Sequence, residues 1–285
     1  ALAQRETPTL MHTSQQLLRL FSRSVSPARA EAKAQFHYDR GNEFFRLWLD
    51  PSLTYSCAYF RTEQDDLEMA QAQKLELVCR KLRLQPGQTL LEVGCGWGSL
   101  LFHAIERYGV RGVGVTPSQQ QATHIEAEAK RRKCADRLTL HVADWRSIGG
   151  AYDRVVIIGM FEHVGKRHGR KFFQRWAQWL KPSGVSVLHT IGAMNRLPPD
   201  PWITEAIFPG GYLPSLTELT SHASRAGLVV ADVENLWRHY ALTLSRWSEN
   251  FQRNQEAILQ VLEQTARERG VRASREDLAE WGARM

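Results

Sequence analysis

Residues 89–100 read TLLEVGCGWGSL: a short apolar strand, three glycines at alternate positions and the first residues of a helix. Glycine allows a sharp turn and a close approach of the backbone to a ligand, so this spacing indicates a binding loop. A dinucleotide fingerprint requires G-x-G-x-x-G, but Ser99 stands where its third glycine would fall. The loop therefore disfavours a nicotinamide-dependent oxidoreductase.

Strand and helix patterns alternate on both sides of this loop. Short apolar runs predict strands, and apolar residues three or four positions apart predict helices. The predicted strands are 89–93, 112–115, 138–142, 154–158 and 185–189, and the predicted helices are 66–84, 100–108, 118–133 and 170–180. This alternation predicts an α/β fold with a doubly wound, mainly parallel sheet. Ligands bind such sheets at the carboxyl ends of the strands.

The chain has 285 residues, enough for one α/β domain with attached segments. Residues 31–60 are dense in aromatic side chains and are interrupted by a proline and a glycine, which indicates a lid or pocket wall. We therefore divide the chain into an N-terminal helical cap segment, residues 1–60, and a main domain, residues 61–285, that ends in a helical extension.

Composition argues against several classes of protein. No apolar run approaches the roughly 18–20 residues of a membrane span, so any membrane contact is expected to be peripheral. The cysteines form no C-x-x-C pair, which disfavours a disulfide framework or a cysteine metal site and indicates the cytoplasm. The net charge of +7 suits nucleic acid, anionic lipid or an acidic substrate, and equally the absence of a polyanionic partner.

The first 30 residues allow two interpretations. Leu17, Leu18 and Phe21 lie among arginines, as in a basic amphipathic helix on a lipid surface. The same pattern fits a helix that packs against the rest of the protein. Both interpretations stay open at the level of sequence.

Polar side chains follow the last two predicted strands. Glu162 comes after a strongly apolar strand, and an acidic group at the end of a buried strand is costly unless it has a partner. His189 ends the next strand, so we expect the Glu162 carboxylate to orient its imidazole. His163 is the weaker candidate and fits a packing or capping role as well.

An acidic residue followed by G-x-G-x-G resembles the loop of class I S-adenosylmethionine methyltransferases. Such a loop wraps the methionine part of the cofactor, and a nearby carboxylate meets its ammonium. Asp144 follows the third predicted strand, where a carboxylate commonly reads the adenine amino group, and Trp145 is placed to flank the ring. Thr116 ends the second strand in place of an acidic residue, so Gln121 is expected to contact the ribose.

Longer strings along the chain resemble one family, the cyclopropane fatty acid synthases and their mycolic acid relatives. The strings are FHYDRGNEFFRLWLDPSLTYSCAYF (36–60), LEVGCGWGSL (91–100), GVTPSQQQ (114–121), IGMFEHVG (158–165), LHTIG (188–192) and IFPGGYLPS (207–215). The resemblance implies a seven-stranded class I methyltransferase sheet with a helical lipid-binding cap. It also implies S-adenosylmethionine as cofactor and a bicarbonate ion as general base.

The resemblance also assigns site residues by position. Those that match the bicarbonate site are Cys57, Glu162, His189, Ile191 and Tyr240. Those that match the cofactor contacts are Tyr55, Ser56, Glu92, Gly94, Gly96, Trp97, Gly98, Thr116, Gln121, Asp144 and Trp145. No metal ligand is implied. An aromatic wall that stabilises a cation is expected from Tyr38, Phe44, Phe161 and Tyr240, and the turn 208–214 is expected to border the acyl pocket.

The expected activity is methyl transfer to the cis double bond of an unsaturated phospholipid or other lipid acyl chain. The product would carry a cyclopropane ring or a methyl group. The expected partners are that lipid and an anionic membrane surface, with a homodimer possible and no nucleic acid. The expected location is cytoplasmic, peripheral to the inner face of the membrane.

Two alternatives remain open on the sequence. One is a methyltransferase of the same superfamily that acts on a small amine or isoprenoid, and the other is a non-catalytic lipid-surface relative. The charged stretch ARERGVRASREDLAEWGARM (266–285) departs from the family's C-terminal pattern. The full set of predicted base-site residues favours lipid C-methylation.

Overall fold

The computed structural model describes residues 42–193, 212–268 and 275. Its helices are α1 Asn42–Arg46, α2 Leu67–Lys81, α3 Ser99–Tyr108, α4 Gln119–Arg131, α5 Gly169–Trp179, α6 Leu216–Arg225, α7 Trp237–Arg253 and α8 Gln255–Glu268. Its strands are β1 Thr89–Val93, β2 Arg111–Thr116, β3 Leu138–Val142, β4 Tyr152–Ile158 and β5 Leu180–His189. The bicarbonate-site and cofactor-site predictions lie within these residues, whereas residues 1–41, including the N-terminal amphipathic pattern and Tyr38, and most of the turn 208–214 lie outside them.

The described part of the chain forms one sheet of five parallel strands in the order β3-β2-β1-β4-β5. The α/β fold with a doubly wound parallel sheet is therefore confirmed. The expectation of seven strands is not met within the described residues. Residues 228–236 follow α6 but make no strand ladder with β5, and Val229 is 91% exposed.

Strand β1 marks the point where the strand order reverses. Its neighbours are β2 on one side and β4 on the other. Leu90 belongs to the core cluster under α3 and α4, and Leu91 to the cluster under α5, so β1 is buried on both faces. The crevice at the carboxyl ends of β1 and β4 is thus the expected ligand site of a doubly wound sheet.

A third core cluster joins α1 and the following loop to α7 and α8. Phe45 lies 4.8 Å from the Trp97 ring, and Trp48 lies 5.7 Å from the Trp247 ring. The Trp97 indole nitrogen donates to Asn42 Oδ1 at 2.8 Å. Aromatic pairs of this kind contribute about 0.5–1.5 kcal/mol beyond their buried area, so residues 42–60 pack firmly over Trp97 of the glycine loop.

The element bounds follow the sequence patterns closely, with one structural difference. Helix α2 begins after Asp66, whose side chain accepts from the Met69 N–H as an N-cap. Residues 181–184, which separate the predicted helix 170–180 from the predicted strand 185–189, lie inside β5 as an irregularity. The strand pairing there passes from Tyr152–Leu180 to Arg154–Val185. No helix among the described residues is long and apolar enough to cross a bilayer.

Candidate functional site

The site lies at the carboxyl edge of the sheet, under the aromatic cap. The described residues leave a cavity of about 2210 Å³ that runs along β5 from Leu180 to His189 and reaches this edge. Its walls include the predicted residues Tyr55, Ser56, Cys57, Glu162, His189, Ile191 and Tyr240. The fold thus brings the five predicted bicarbonate-site residues and two predicted cofactor contacts to one cavity, although they come from four separate parts of the chain.

The glycine loop follows β1 in a backbone conformation that L-residues avoid. Gly94, Gly96 and Gly98 have φ of 81°, 52° and 85°. The N–H groups of Gly94 and Cys95 donate to the Val115 carbonyl at 2.9 and 3.0 Å, which anchors the loop to β2. A Cβ atom on Gly94 would stand 2.7 Å from the Met160 side chain, whereas a Cβ on Gly96 would meet nothing within 4 Å. Gly96 therefore faces open space, as a loop that cradles a ligand requires.

The carboxylate of Glu92 lies just before this loop and is 4% exposed. Its Oε2 atom has no hydrogen-bond partner among the described residues. Burial raises the pKa of Glu92 to about 8, and the nearby charge of Lys74 opposes that rise. A buried carboxyl oxygen without a partner is costly, so a cationic group of a ligand would stabilise it.

Thr116 and Gln121 meet at the carboxyl end of β2. The Thr116 hydroxyl donates to Gln121 Oε1 at 2.6 Å, and the Ser118 N–H donates to the Thr116 hydroxyl at 3.2 Å. The Gln121 amide nitrogen is buried and has no acceptor among the described residues. Its two N–H groups therefore remain as donors for a hydroxyl-bearing ligand, consistent with the predicted ribose contact.

Asp144 and Trp145 follow β3 as predicted, but Asp144 is already engaged. Its Oδ1 accepts from the Arg146 backbone N–H and its Oδ2 from the Arg146 guanidinium, both at 2.8 Å. The same guanidinium lies 4.8 Å above the Trp145 ring, which packs edge-on against Phe172 at 5.0 Å. A ligand that contacts Asp144 would share it with Arg146.

Glu162 lies in a short turn after β4, and its partner differs from the predicted one. Its Oε1 accepts from the Ile191 backbone N–H at 2.7 Å, whereas Oε2 is buried and has no partner among the described residues. The expected hydrogen bond to His189 is absent within the described part of the chain. Strand β5 ends at His189, and the main chain that follows passes next to Glu162. The Ile191 N–H therefore donates to this carboxyl group in place of the His189 ring. Burial raises the pKa of Glu162.

The groups around Glu162 are neutral at pH 7. Burial lowers the pKa of His189 to about 4, raises that of Tyr240 to about 12 and raises that of Cys57 to about 11. The Cys57 thiol donates to the Ala58 carbonyl at 3.3 Å and is not a thiolate nucleophile. The Tyr240 hydroxyl and the N–H of the neutral His189 ring therefore serve as neutral donors among the residues that line the cavity, a pair that suits a small oxyanion. Burial also lowers the pKa of His163, another cavity residue, to about 4.

Sequence reasoning missed Lys74, a cavity residue on α2 that is 2% exposed. Its ammonium donates to the Ser56 hydroxyl at 2.8 Å. The signal was present in the helical spacing, because Leu67, Lys74 and Val78 share the buried stripe of the helix. Lysine is almost never fully buried unless it has a partner, so a lysine on this stripe indicates a buried polar site.

The cysteines form no disulfide in the described part of the chain. All four cysteines, Cys57, Cys79, Cys95 and Cys134, are buried free thiols. Within residues 42–193 and 212–268, no group of three or more His, Cys, Asp or Glu side chains is arranged to hold a metal ion.

Comparison with known proteins places the chain in a family. The sequence pattern of the family described as mycolic acid cyclopropane synthetase matches residues 25–270. Cyclopropane mycolic acid synthase 1 of Mycobacterium tuberculosis is 40% identical over 237 residues, which cover 78% of this chain and 83% of that protein. Cyclopropane-fatty-acyl-phospholipid synthase of Escherichia coli is 41% identical over 227 residues, which cover 79% of this chain and 58% of that protein.

Solved structures agree with this grouping. The cyclopropane synthase MmaA2 from Mycobacterium tuberculosis superposes with a TM-score of 0.80 at 35% identity, over 89% of this chain and 91% of that one. Coclaurine N-methyltransferase superposes with a TM-score of 0.76 at 24% identity, over 98% of this chain and 82% of that one, and shows the shared fold alone. The chain therefore belongs to the mycolic acid cyclopropane synthetase family, a group of S-adenosylmethionine-dependent methyltransferases with the class I fold.

Proposed function

We propose that this chain binds S-adenosylmethionine and transfers its methyl group to the cis double bond of an unsaturated phospholipid acyl chain. The product carries a cyclopropane ring or a methyl branch, and bicarbonate serves as the general base. The names of the relatives in Mycobacterium tuberculosis and Escherichia coli support an acyl-chain substrate. The observation that carries the proposal is the set of side chains that line one cavity: Glu162, the neutral donors His189 and Tyr240, and the predicted cofactor contacts Tyr55 and Ser56.

The residues at the carboxyl ends of β1 and β2 fit S-adenosylmethionine, which supplies an electrophilic methyl group when bound. Gly96 leaves room for a close approach of the ligand. The unpartnered Glu92 Oε2 suits the cofactor's ammonium, and the unpartnered Gln121 amide suits its ribose hydroxyls. These three features lie around the expected crevice of a doubly wound sheet.

The residues at the carboxyl ends of β4 and β5 fit bicarbonate, which supplies a proton acceptor when bound. Tyr240 and His189 each present a neutral donor, and the Ile191 N–H fixes the Glu162 carboxyl so that Oε2 stays free of protein partners. With its raised pKa, Glu162 is stabilised in the protonated form and can donate from Oε2 to an oxyanion. Bicarbonate held by these groups would accept the proton that must leave a carbon atom of the methylated acyl chain.

The cap residues shield the reacting carbons. Trp48, Tyr55 and Trp247 line the cavity with ring separations of 5.2–5.7 Å, and Tyr240 meets Trp247 edge-on at 6.4 Å. Ring faces stabilise a nearby cation, and an aromatic wall excludes water that would capture it.

The direct test is mass spectrometry of vesicles of unsaturated phosphatidylglycerol incubated with the protein and methyl-labelled S-adenosylmethionine. We expect each modified acyl chain to gain one CH2 unit, and the rate to fall when bicarbonate is removed and to recover when it is restored. Fragmentation then separates ring from branched products. Cofactor binding without labelled lipid would contradict the proposal and favour a small-molecule acceptor.

A basic surface next to the site supports contact with anionic lipid. Lys166, Arg167, Arg170 and Lys171 are exposed and have no ion-pair partner among the described residues. The charges of Arg146, Lys171 and Arg167 contribute to lowering the pKa of His168, after the larger effect of burial. We call these four residues the basic segment; it begins four positions after Glu162, so a membrane that contacts it lies close to the cavity.

Removal of two charges from the basic segment is expected to weaken binding to anionic vesicles. At about 1 kcal/mol per basic residue, the double variant Arg167→Ala, Arg170→Ala should bind about 30-fold more weakly in low salt. Vesicle sedimentation measures the effect. The matched control is Lys130→Ala, Lys133→Ala, which removes two exposed charges beside α4. Equal losses in both double variants would indicate a net-charge effect and would contradict a specific surface.

A further inference from the structure

We propose that Lys74 is a positioning residue for the cofactor site, holding the segment 55–57 in place and acting electrostatically on the Glu92 carboxyl group. This inference rests on the proposed use of S-adenosylmethionine. Nothing in the sequence strings or in the relatives' names assigns a role to this lysine. Lys74 is not expected to contact a ligand itself. It acts through Ser56 and Glu92, which are expected to contact the cofactor.

The first observation is a pair of polar side chains on the buried face of α2. Lys74 Nζ donates to Ser56 Oγ at 2.8 Å. One turn earlier, Gln71 Nε2 donates to the Ser56 carbonyl at 2.8 Å and to the Thr54 carbonyl at 3.2 Å. These contacts span 15 to 18 positions in sequence and join α2 to the cap segment. The position of Ser56 therefore depends on the two polar residues of this helix.

The second observation is the charge balance around the ammonium. Asp50 and Glu92 are both buried, and each interacts electrostatically with Lys74. Burial lowers the pKa of Lys74 to about 8, and the two carboxylates counteract that effect. In turn Lys74 lowers the pKa of Glu92, which burial has raised to about 8. Without the ammonium, the pKa of Glu92 would rise further, and the carboxylate form that attracts a cationic ligand would be less populated.

A purely structural role does not account for this arrangement. Apart from Gln71, the buried residues of α2 around Lys74 are apolar, and a methionine would occupy a similar volume there without desolvating a charge. Buried ion pairs are frequently no more stabilising than apolar replacements of the same size. A buried lysine that borders the cavity and contacts Ser56 is therefore better explained by an effect on the site than by stability.

The test is the dissociation constant of S-adenosylmethionine, measured by isothermal titration calorimetry together with the melting temperature. Lys74→Met is expected to weaken cofactor binding at least tenfold with little change in melting temperature, and Lys74→Arg is expected to recover part of the loss. In a Glu92→Gln background the same methionine substitution is expected to have at least a threefold smaller effect. Lys130→Met, an exposed position on α4, is the matched control and should leave binding unchanged.

Each outcome decides the inference. Unchanged cofactor affinity in a folded Lys74→Met variant would overturn it, as would an equal loss with and without Glu92. Lys74→Gln, which keeps a donor for Ser56 and removes only the charge, gives the same decision if the methionine variant does not fold. A wild-type protein that fails to bind S-adenosylmethionine would instead contradict the proposed function, so the two failures are distinguishable.

Discussion

Replacing Glu162 by glutamine is expected to lower turnover on unsaturated phospholipid by roughly 10²- to 10⁴-fold, the range contributed by positioned acid–base groups. The amide keeps an oxygen to accept from the Ile191 N–H, so the 2.7 Å bond that fixes the side chain is retained. What changes is Oε2, the buried atom with no partner among the described residues. A carboxyl group can release or take up a proton there, whereas an amide nitrogen can only donate a hydrogen bond.

The measurement is the rate of labelled lipid formation at saturating cofactor, with the dissociation constant of S-adenosylmethionine as a second readout. Cofactor binding should change less than threefold, because Glu162 lies beyond β4 and the glycine loop follows β1. Glu126→Gln, the same change at an exposed position on α4, is the control and should retain full activity. A Glu162→Gln variant within threefold of wild-type turnover would remove Glu162 from the proposed chemistry.

Gly96→Ala is expected to weaken S-adenosylmethionine binding by roughly 10- to 100-fold, or about 1.4–2.8 kcal/mol. A Cβ at this position meets no protein atom within 4 Å, so it would project into the space expected to hold the cofactor. The backbone φ of 52° adds strain of about 1–2 kcal/mol for an L-residue. That strain lowers the free energy of unfolding, whereas only the projecting methyl group should lower affinity.

Gly87→Ala separates these two effects. Gly87 also has a positive φ, 81°, and a Cβ there also meets nothing within 4 Å, but it lies in the turn before β1, away from the carboxyl edge of the sheet. Both variants should lose a similar free energy of unfolding in urea, and only Gly96→Ala should lose cofactor affinity in calorimetry. Equal affinities for the two variants would exclude the Gly96 face as the cofactor cradle.

Local patterns carried much of the fold. The glycine loop was recognisable because it needs backbone angles that only glycine adopts easily, and this requirement is written in adjacent residues. The apolar spacing of residues 66–84 predicted helix α2 to within three residues at each end. Alternating strands and helices then predicted a parallel sheet, in which all strand ends of one polarity meet at one edge. Glu162 and His189 could be assigned to that edge for this reason.

The spacing of apolar residues in the sequence could not predict contacts between distant segments of the chain. The Ala58 N–H donates to the Thr243 hydroxyl at 3.0 Å, and the Asn250 amide donates to the Trp48 carbonyl at 3.2 Å, across 185 and 202 positions. The resemblance to a family implied a cap segment. These contacts attach Trp48 and Ala58 of that segment to helix α7. Hydrogen bonds that close such long separations depend on how whole elements pack, which no local pattern encodes.

The sequence by itself determined the class of fold, the glycine loop and the set of polar residues at the strand ends, because each follows from local backbone preference and strand polarity. Only the tertiary structure decided which polar group meets which. It paired Glu162 with the Ile191 backbone rather than with His189, engaged Asp144 with Arg146, and buried Lys74 beside Ser56. The physical reason is that a hydrogen bond forms over about 3 Å, a distance set by the packing of elements far apart in the chain.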